Sequence, residues 1–436
     1  MNQPKSYRSS FILLTTLFFL WGFITVLVDS LIPRLRELFT LTYFQAGLVQ
    51  FAFFGAYFLL SIPASYILSK IGYKKGIILG LLTMAAGCLL FYPAASYRVF
   101  GIFMLAYFIL AGGMTILQVA ANPFVAVLGS EDGASSRLNL SQAFNSLGTA
   151  IAPAVGALFI LSDTIKTEEE IASLAGTAKE TYLASEASAV QMPFLGLALF
   201  IGLIAIVFLF AKLPKMMNET STGTYAEVFQ NKNLMLGVLG IFFYVGAEVA
   251  IGSYLVNYFL DMNLVDVIKE NTLMKSIAEG ILNSGITEND NKAIVGVFVT
   301  FYWSGAMIGR FVGSYLTRIM KPGKVLGVFA TIAILLILIS ISTTGLLSMW
   351  SILAVGLFNS IMFPTIFTIS IDGIGELKPK GSGLLCMAIV GGALIPPLYG
   401  YLTDQIGFKT ALFFIIICYS YILWFGYRNS KKVSVT

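Results

Sequence analysis

The sequence predicts an all-α membrane protein with twelve transmembrane helices in two pseudo-symmetric six-helix halves. Three observations predict it. Of 436 residues, 57% are hydrophobic and only 11% charged, with a mean hydropathy of +0.86, whereas a soluble domain carries about a quarter charged residues. Twelve long apolar runs follow one another, and at about 20 to 22 residues each they take roughly 250 residues, which leaves short loops and tails. Landmarks in the first six runs recur, in order, in the second six.

The runs cover approximately 11–32, 46–68, 76–95, 100–128, 138–161, 191–211, 234–260, 293–317, 324–345, 348–371, 382–402 and 409–427. The first is too long for a signal-peptide core and has no small-x-small cleavage site, so it is expected to stay in the mature protein. Connections at about 162–190 and 261–292, rich in Glu, Asp, Ser and Ala, each have room for a short surface helix. The polar segment 213–233 divides the chain into an N-terminal half, 1–212, and a C-terminal half, 234–436.

With an even number of spans both termini share a side. The larger share of Lys and Arg falls on that side: Lys5 and Arg8, the Lys70–Lys75 turn, Arg137, Lys212 to Lys232, Arg318 to Lys324, Lys378 and Lys380, and the tail from Arg428. The positive-inside bias places both termini in the cytoplasm. It also accounts for the net charge of +5 without a nucleic-acid partner; the basic residues set topology and meet anionic lipid.

The repeat is read from three matches. Lys70-Ile71-Gly72-Tyr73-Lys74-Lys75-Gly76 answers Arg318-Ile319-Met320-Lys321-Pro322-Gly323-Lys324, and Asn122-Pro123-Phe124 answers Phe363-Pro364-Thr365. Ala152-Pro153-Ala154-Val155-Gly156 answers Ile395-Pro396-Pro397-Leu398-Tyr399-Gly400. Two copies of a six-helix unit are the plan of secondary transporters.

Composition also closes the usual enzyme routes. Histidine is absent, which removes Ser-His-Asp and Cys-His catalysis and histidine-ligated metals. Cys88, Cys386 and Cys418 lie in apolar stretches and read as small buried hydrophobes. Neither a cofactor motif nor a nucleophile-base pair is visible, so no enzyme activity and no cofactor is expected.

The sharpest functional clues are charges inside spans, each a few kcal/mol costly on insertion scales and therefore expected to face protein or a wet cavity. Asp29 lies late in span one, just before Pro33; it is either solvated at the interface or a titratable, cation-binding group. Glu248 is too deep in span seven for interfacial solvation, leaving a structural partner or a ligand. Arg310, toward the end of span eight, is expected to snorkel or to form a conformational latch.

A second polar layer comprises Gln118 and Asn122, four apart on span four, and Gln142 and Asn145, three apart on span five. Asn257 on span seven and Asn359 on span ten join it. Amides are helix-packing glue when single; as a convergent set they suit a polyhydroxylated ligand, since they both donate and accept. Trp21, Phe51, Tyr244, Tyr254, Tyr302 and Trp303 share these helices and offer rings to a sugar face or to ordinary packing.

Several segments resemble a known family. The twelve-span plan with its Gly72-Tyr73-Lys74-Lys75-Gly76 turn is similar to the major facilitator superfamily. Phe18-Phe19-Leu20-Trp21-Gly22-Phe23 leading to Asp29, Phe44-Gln45-Ala46-Gly47-Leu48, Ala120-Ala121-Asn122-Pro123-Phe124, Arg137-Leu138-Asn139-Leu140 with Gln142 and Phe144-Asn145-Ser146, and Tyr244-Val245-Gly246-Ala247 resemble the bacterial fucose and glucose/galactose symporters. The resemblance implies a cation-driven sugar importer of the bacterial inner membrane, working as a monomer by alternating access with sugar held between the halves. In fucose symporters two membrane carboxylates are implicated, one at the place of Asp29 and one on span four, where this chain has Gln118. Val26 and Val28 also replace the asparagines flanking that aspartate. The pattern Gln118 plus Glu248 looks like the glucose/galactose branch, with glucose, galactose or mannose as substrate.

An uncharged Gln118 exchanges no proton, so coupling is expected to rest on Asp29, on Glu248 or on a sodium site near Asp29; H+ and Na+ both stay open. Asp29 is expected to carry the cation, and Gln118, Asn122, Gln142, Asn145, Tyr244, Glu248, Asn257 and Asn359 to contact sugar. The rival is an exporter on the same fold, since fold does not fix substrate.

Overall fold

A bilayer core offers no water to backbone N–H and C=O groups, so apolar runs bond within themselves as helices. The computed structural model describes residues 7–38, 43–159, 176–216, 223–286 and 289–430. In chain order the helices are α1 (Arg8–Leu38), α2 (Tyr43–Ile71), α3 (Tyr73–Tyr97), α4 (Phe100–Val127), α5 (Ala134–Phe159), α6 (Thr177–Phe210), α7 (Tyr225–Gln230) and α8 (Lys232–Asp261). They continue with α9 (Leu264–Glu270), α10 (Thr272–Leu282), α11 (Asn291–Ile319), α12 (Pro322–Ser342), α13 (Gly345–Asn359), α14 (Met362–Ile371), α15 (Lys378–Met387), α16 (Gly391–Ile406) and α17 (Phe408–Ser430). Among the described residues, 11 helical segments are long and apolar enough to cross a membrane. The long helix α5, which carries Asn139, Gln142 and Asn145, completes the expected twelve.

Two expected spans are interrupted. The run at 348–371 forms α13 and α14, separated at Ser360 and Ile361. Pro364 has no N–H, so the carbonyl of Ser360, four residues back, loses its helical donor. Pro123 does the same to Val119 inside α4, and there the Ser382 hydroxyl donates to the freed carbonyl at 2.8 Å. The eleventh run is α15 and α16, joined by a tight turn at Ala388–Val390 ahead of the poor helix formers Gly391 and Gly392.

Packing divides the chain into two units. The first holds residues 1–130, 144–231 and 373–387, with α3 against α4 and α6, and α15 against α2 and α4. The second holds 131–143, 232–372 and 388–436, with α12 against α13 and α17, and α8 against α11, α14, α16 and α17. The units follow the two halves of the chain except for these short segments, 131–143 and 373–387. In the second unit, Ser135 Oγ lies 2.6 Å from Thr368 Oγ1, and the Asn139 amide donates to Thr365 Oγ1 at 3.2 Å.

Polar connections are ordered by local capping. The connection after α8 carries α9 and α10, where Asn271 Oδ1 accepts from the N–H groups of Leu273 and Met274 at 3.1 and 3.0 Å. Of the connection at 162–190, residues 162–175 lie outside the described residues. Helix α7, within the linker, starts in a capping box of Thr224 and Glu227. Tyr225 Oη lies 2.6 Å from Ser65 Oγ and donates to the Ile62 carbonyl at 3.0 Å, while Lys380 Nζ donates to the Gly223 carbonyl. All three cysteines are free and buried.

Candidate functional site

In the second unit, polar side chains from four helices converge. Tyr244 and Glu248 stand one turn apart on α8, hence on one face. α11 brings Tyr302 and Arg310, α13 ends in Asn359, and α17 brings Tyr419. Glycine permits the approach of α11 to α13: a Cβ at Gly309 would overlap the Leu357 carbonyl, and one at Gly356 the Tyr302 carbonyl.

These groups form a directed network. The Asn359 amide donates to Tyr302 Oη at 2.6 Å and to Tyr419 Oη at 3.2 Å, and Tyr302 Oη donates to the Glu248 carbonyl at 3.4 Å. Arg310 reaches Glu248 Oε1 at 3.9 Å, and its Nε donates at 3.1 Å to the Ser360 carbonyl that Pro364 leaves free. Tyr244 Oη, Glu248 Oε1 and Asn359 Oδ1 are buried, and among the described residues none has a hydrogen-bond partner. Native structures leave few such atoms. A phenol that donates, an amide oxygen that accepts and a carboxylate are therefore oriented with bonding capacity to offer a polar guest.

In the first unit the Gln118 amide donates to the buried hydroxyl of Tyr57 at 2.7 Å. Asn122, one turn further along α4 and next to Pro123, is fully buried. Asn145 Nδ2 donates to the Phe18 carbonyl at 2.9 Å, and Gly22 leaves the space for it: a Cβ there would stand 2.8 Å from Asn145 Nδ2. Asn145 thus ties α5 to α1 as well as facing the same side of α5 as Gln142. Gln142, in the segment 131–143 that belongs to the second unit, is buried and has an interaction of its own. Trp21 is buried edge-on to Phe18 at 5.6 Å.

The structure separates some expected companions. Asn257 is not with Glu248; nine residues along α8 carries it about 13 Å away, into a pocket with Tyr254 and Asp404. Phe51 is 64% exposed and Trp303 49%. Arg310, expected to snorkel or latch near a basic loop, faces Glu248 with its side chain 16% exposed. The side chain of Asp29 lies outside the described residues, as does the neighbourhood in which a sodium ion near it would sit. Tyr57, Tyr419 and Ser360 were not singled out in the sequence; a phenol within an apolar span needs a partner when buried, and that signal marks both tyrosines.

Residues 9–389 match the Major Facilitator Superfamily. The chain is 46% identical over 434 residues to the glucose/galactose transporter of Brucella abortus biovar 1 (strain 9-941), covering 99% of this chain and 96% of that one. It is 34% identical over 443 residues to the L-fucose-proton symporter of Escherichia coli (strain K12), covering 99% and 96%. The crystal structure of the Major Facilitator Superfamily transporter FucP in the outward conformation superimposes with a TM-score of 0.86 at 33% identity, over 98% of this chain and 100% of that one. The chain therefore belongs to the Major Facilitator Superfamily and, within it, to the family of the bacterial fucose and glucose/galactose symporters.

Proposed function

We propose that the protein imports a hexose (glucose, galactose or mannose) together with H+ or Na+, by alternating access, across a bacterial inner membrane with both termini in the cytoplasm. The observation that carries this reading is the set of buried polar atoms on Tyr244, Glu248 and Asn359 that make no hydrogen bond among the described residues, Glu248 Oε1 having only its ion pair with Arg310 at 3.9 Å. A sugar ring presents neighbouring hydroxyls, each a donor and an acceptor, and a carboxylate accepts from two of them. The relatives named for glucose/galactose and for L-fucose and protons support the substrate class and the coupling.

Gln118 supports hexose over fucose. Its amide is held by Tyr57 and carries no charge, so the second carboxylate implied for fucose symporters is replaced by a neutral donor and acceptor. Asn122, Gln142 and Asn145 complete the amide contribution. Glu248 is assigned to sugar, with Arg310 beside it limiting its freedom and acting as the conformational latch. Asp29 is assigned to the cation, H+ or Na+, and the protein works as a monomer.

Competition of labelled glucose uptake in cells expressing the protein tests the substrate assignment. Excess galactose or mannose suppresses uptake, and fucose does so less. Stronger suppression by fucose than by all three hexoses overturns it.

A further inference from the structure

A polar cavity apart from the Glu248 network lies in the second unit, where α8 and α16 end and α17 begins. Its volume is about 360 Å³, and Tyr254, Asn257, Tyr401, Thr403, Asp404 and Phe408 line it. Small-molecule sites occupy about 300 to 1,000 Å³, so a single monosaccharide is in scale. Gly400 also lines it, and a Cβ there would overlap the Tyr254 hydroxyl. Tyr254 is held edge-on against Tyr399, with centroids 5.3 Å apart at 70°, which fixes its ring instead of leaving it to rotate.

The chemistry around the cavity is unengaged. Asn257, Tyr401 and Asp404 are exposed and Tyr254 is half-buried, and among the described residues their polar groups have no protein hydrogen-bond or ion-pair partner, so they are open to a ligand from solvent. Lys409, in the neighbouring helix α17, donates instead to the Thr343 carbonyl and leaves Asp404 unneutralised. Thr403 Oγ1 donates to the Tyr399 carbonyl at 2.9 Å and keeps its lone pairs for a donor. Rings that cover an apolar face, beside a carboxylate and an amide, form a monosaccharide-binding set. A lone carboxylate among phenols offers too few oxygens for a hard metal cation, which takes six or more.

We propose that this cavity is an outer sugar subsite that receives a hexose before it reaches Glu248, about 13 Å further along α8. The inference rests on the proposed sugar transport but assigns a separate site to residues outside the Glu248 network. It acts on capture, not on coupling: at low sugar it raises the local supply, and at saturation it is without effect.

The test is equilibrium binding of labelled glucose to the purified full chain, with initial uptake rates in parallel. The wild type binds two glucose molecules per chain; Glu248→Gln weakens one of the two about tenfold to a hundredfold, Asp404→Asn weakens the other, and the double variant weakens both. Asp404→Asn alone raises KM for uptake about tenfold, in line with losing a hydrogen bond to a charged group, with maximal rate and final accumulation unchanged. Tyr401→Ala, at an exposed position, acts in the same direction. One glucose per wild-type chain and an unchanged KM in both variants overturns the subsite while leaving sugar transport intact. Loss of accumulation in Asp404→Asn, or loss of sodium binding in place of glucose binding, overturns it as well. No glucose bound by any form overturns both readings.

Discussion

Arg310 Nε donates to the carbonyl of Ser360 at 3.1 Å, and it does so because Pro364 cannot. The proline removes the N–H that would bond Ser360 within the helix and separates α13 from α14. One side chain thereby reads a backbone break and reaches Glu248 with its other end at 3.9 Å. Pro364→Ala restores the N–H and gives the Ser360 carbonyl a competing donor. Arg310 then loses a charge-assisted bond of about 1.5 to 3 kcal/mol, and glucose affinity, measured by equilibrium binding, falls about tenfold or more.

Glu248 and Arg310 are expected to act as a unit. Glu248→Gln lowers sugar affinity about tenfold to a hundredfold, the equivalent of about 1.5 to 3 kcal/mol. Arg310→Met frees the carboxylate and changes affinity by a different amount. A double-mutant cycle on binding shows a coupling of about 0.5 to 3 kcal/mol; strict additivity would mean that the two groups do not communicate.

Asn145 and Gln142 share a face of α5, and Asn145 holds the Phe18 carbonyl. Asn145→Ala removes the bond to the Phe18 carbonyl and lowers stability by about 0.6 to 2 kcal/mol, seen in thermal unfolding in detergent, together with a loss of affinity. Gln142→Ala lowers affinity by about 1 to 3 kcal/mol for the lost hydrogen bond, measured by equilibrium binding of labelled glucose. Unchanged affinity in both variants removes these amides from the sugar site.

The linker helix α7 is sensitive to acid. The Thr224 backbone N–H, and then its hydroxyl, donate to the Glu227 carboxylate and hold it below the usual carboxylate range. A lowered native pKa contributes stability above the unfolded value of about 4.3, which is lost as pH falls through the native value. Protection of the Tyr225–Gln230 amides, relative to the intrinsic exchange rate at each pH, therefore falls as the pH drops below about 4.3, and Glu227→Gln abolishes that acid step.

Much of this was legible in the sequence. Apolar run length gave the spans, and the paired Asn122-Pro123-Phe124 and Phe363-Pro364-Thr365 segments gave the duplication. What those prolines accomplish needed three dimensions: each frees a carbonyl, Val119 or Ser360, taken by a donor distant in the chain, Ser382 or Arg310. Glu248 was visible as a charge without interfacial solvation, but its proximity to Arg310 depends on glycine contacts between helices that no periodicity reports. Asn257 could have been separated from Glu248 by helical rise alone. The segments 131–143 and 373–387, packed with the other half of the chain, have no compositional mark at all.

Labelled-sugar uptake into membrane vesicles decides whether the protein accumulates a hexose against its gradient. A proton gradient alone and a sodium gradient alone are imposed in turn, on the wild type and on Asp29→Asn. The wild type concentrates glucose, galactose or mannose under at least one gradient, and more strongly than fucose, while Asp29→Asn binds sugar and does not concentrate it. Equilibration without accumulation under both gradients, or full accumulation by Asp29→Asn, would contradict the account.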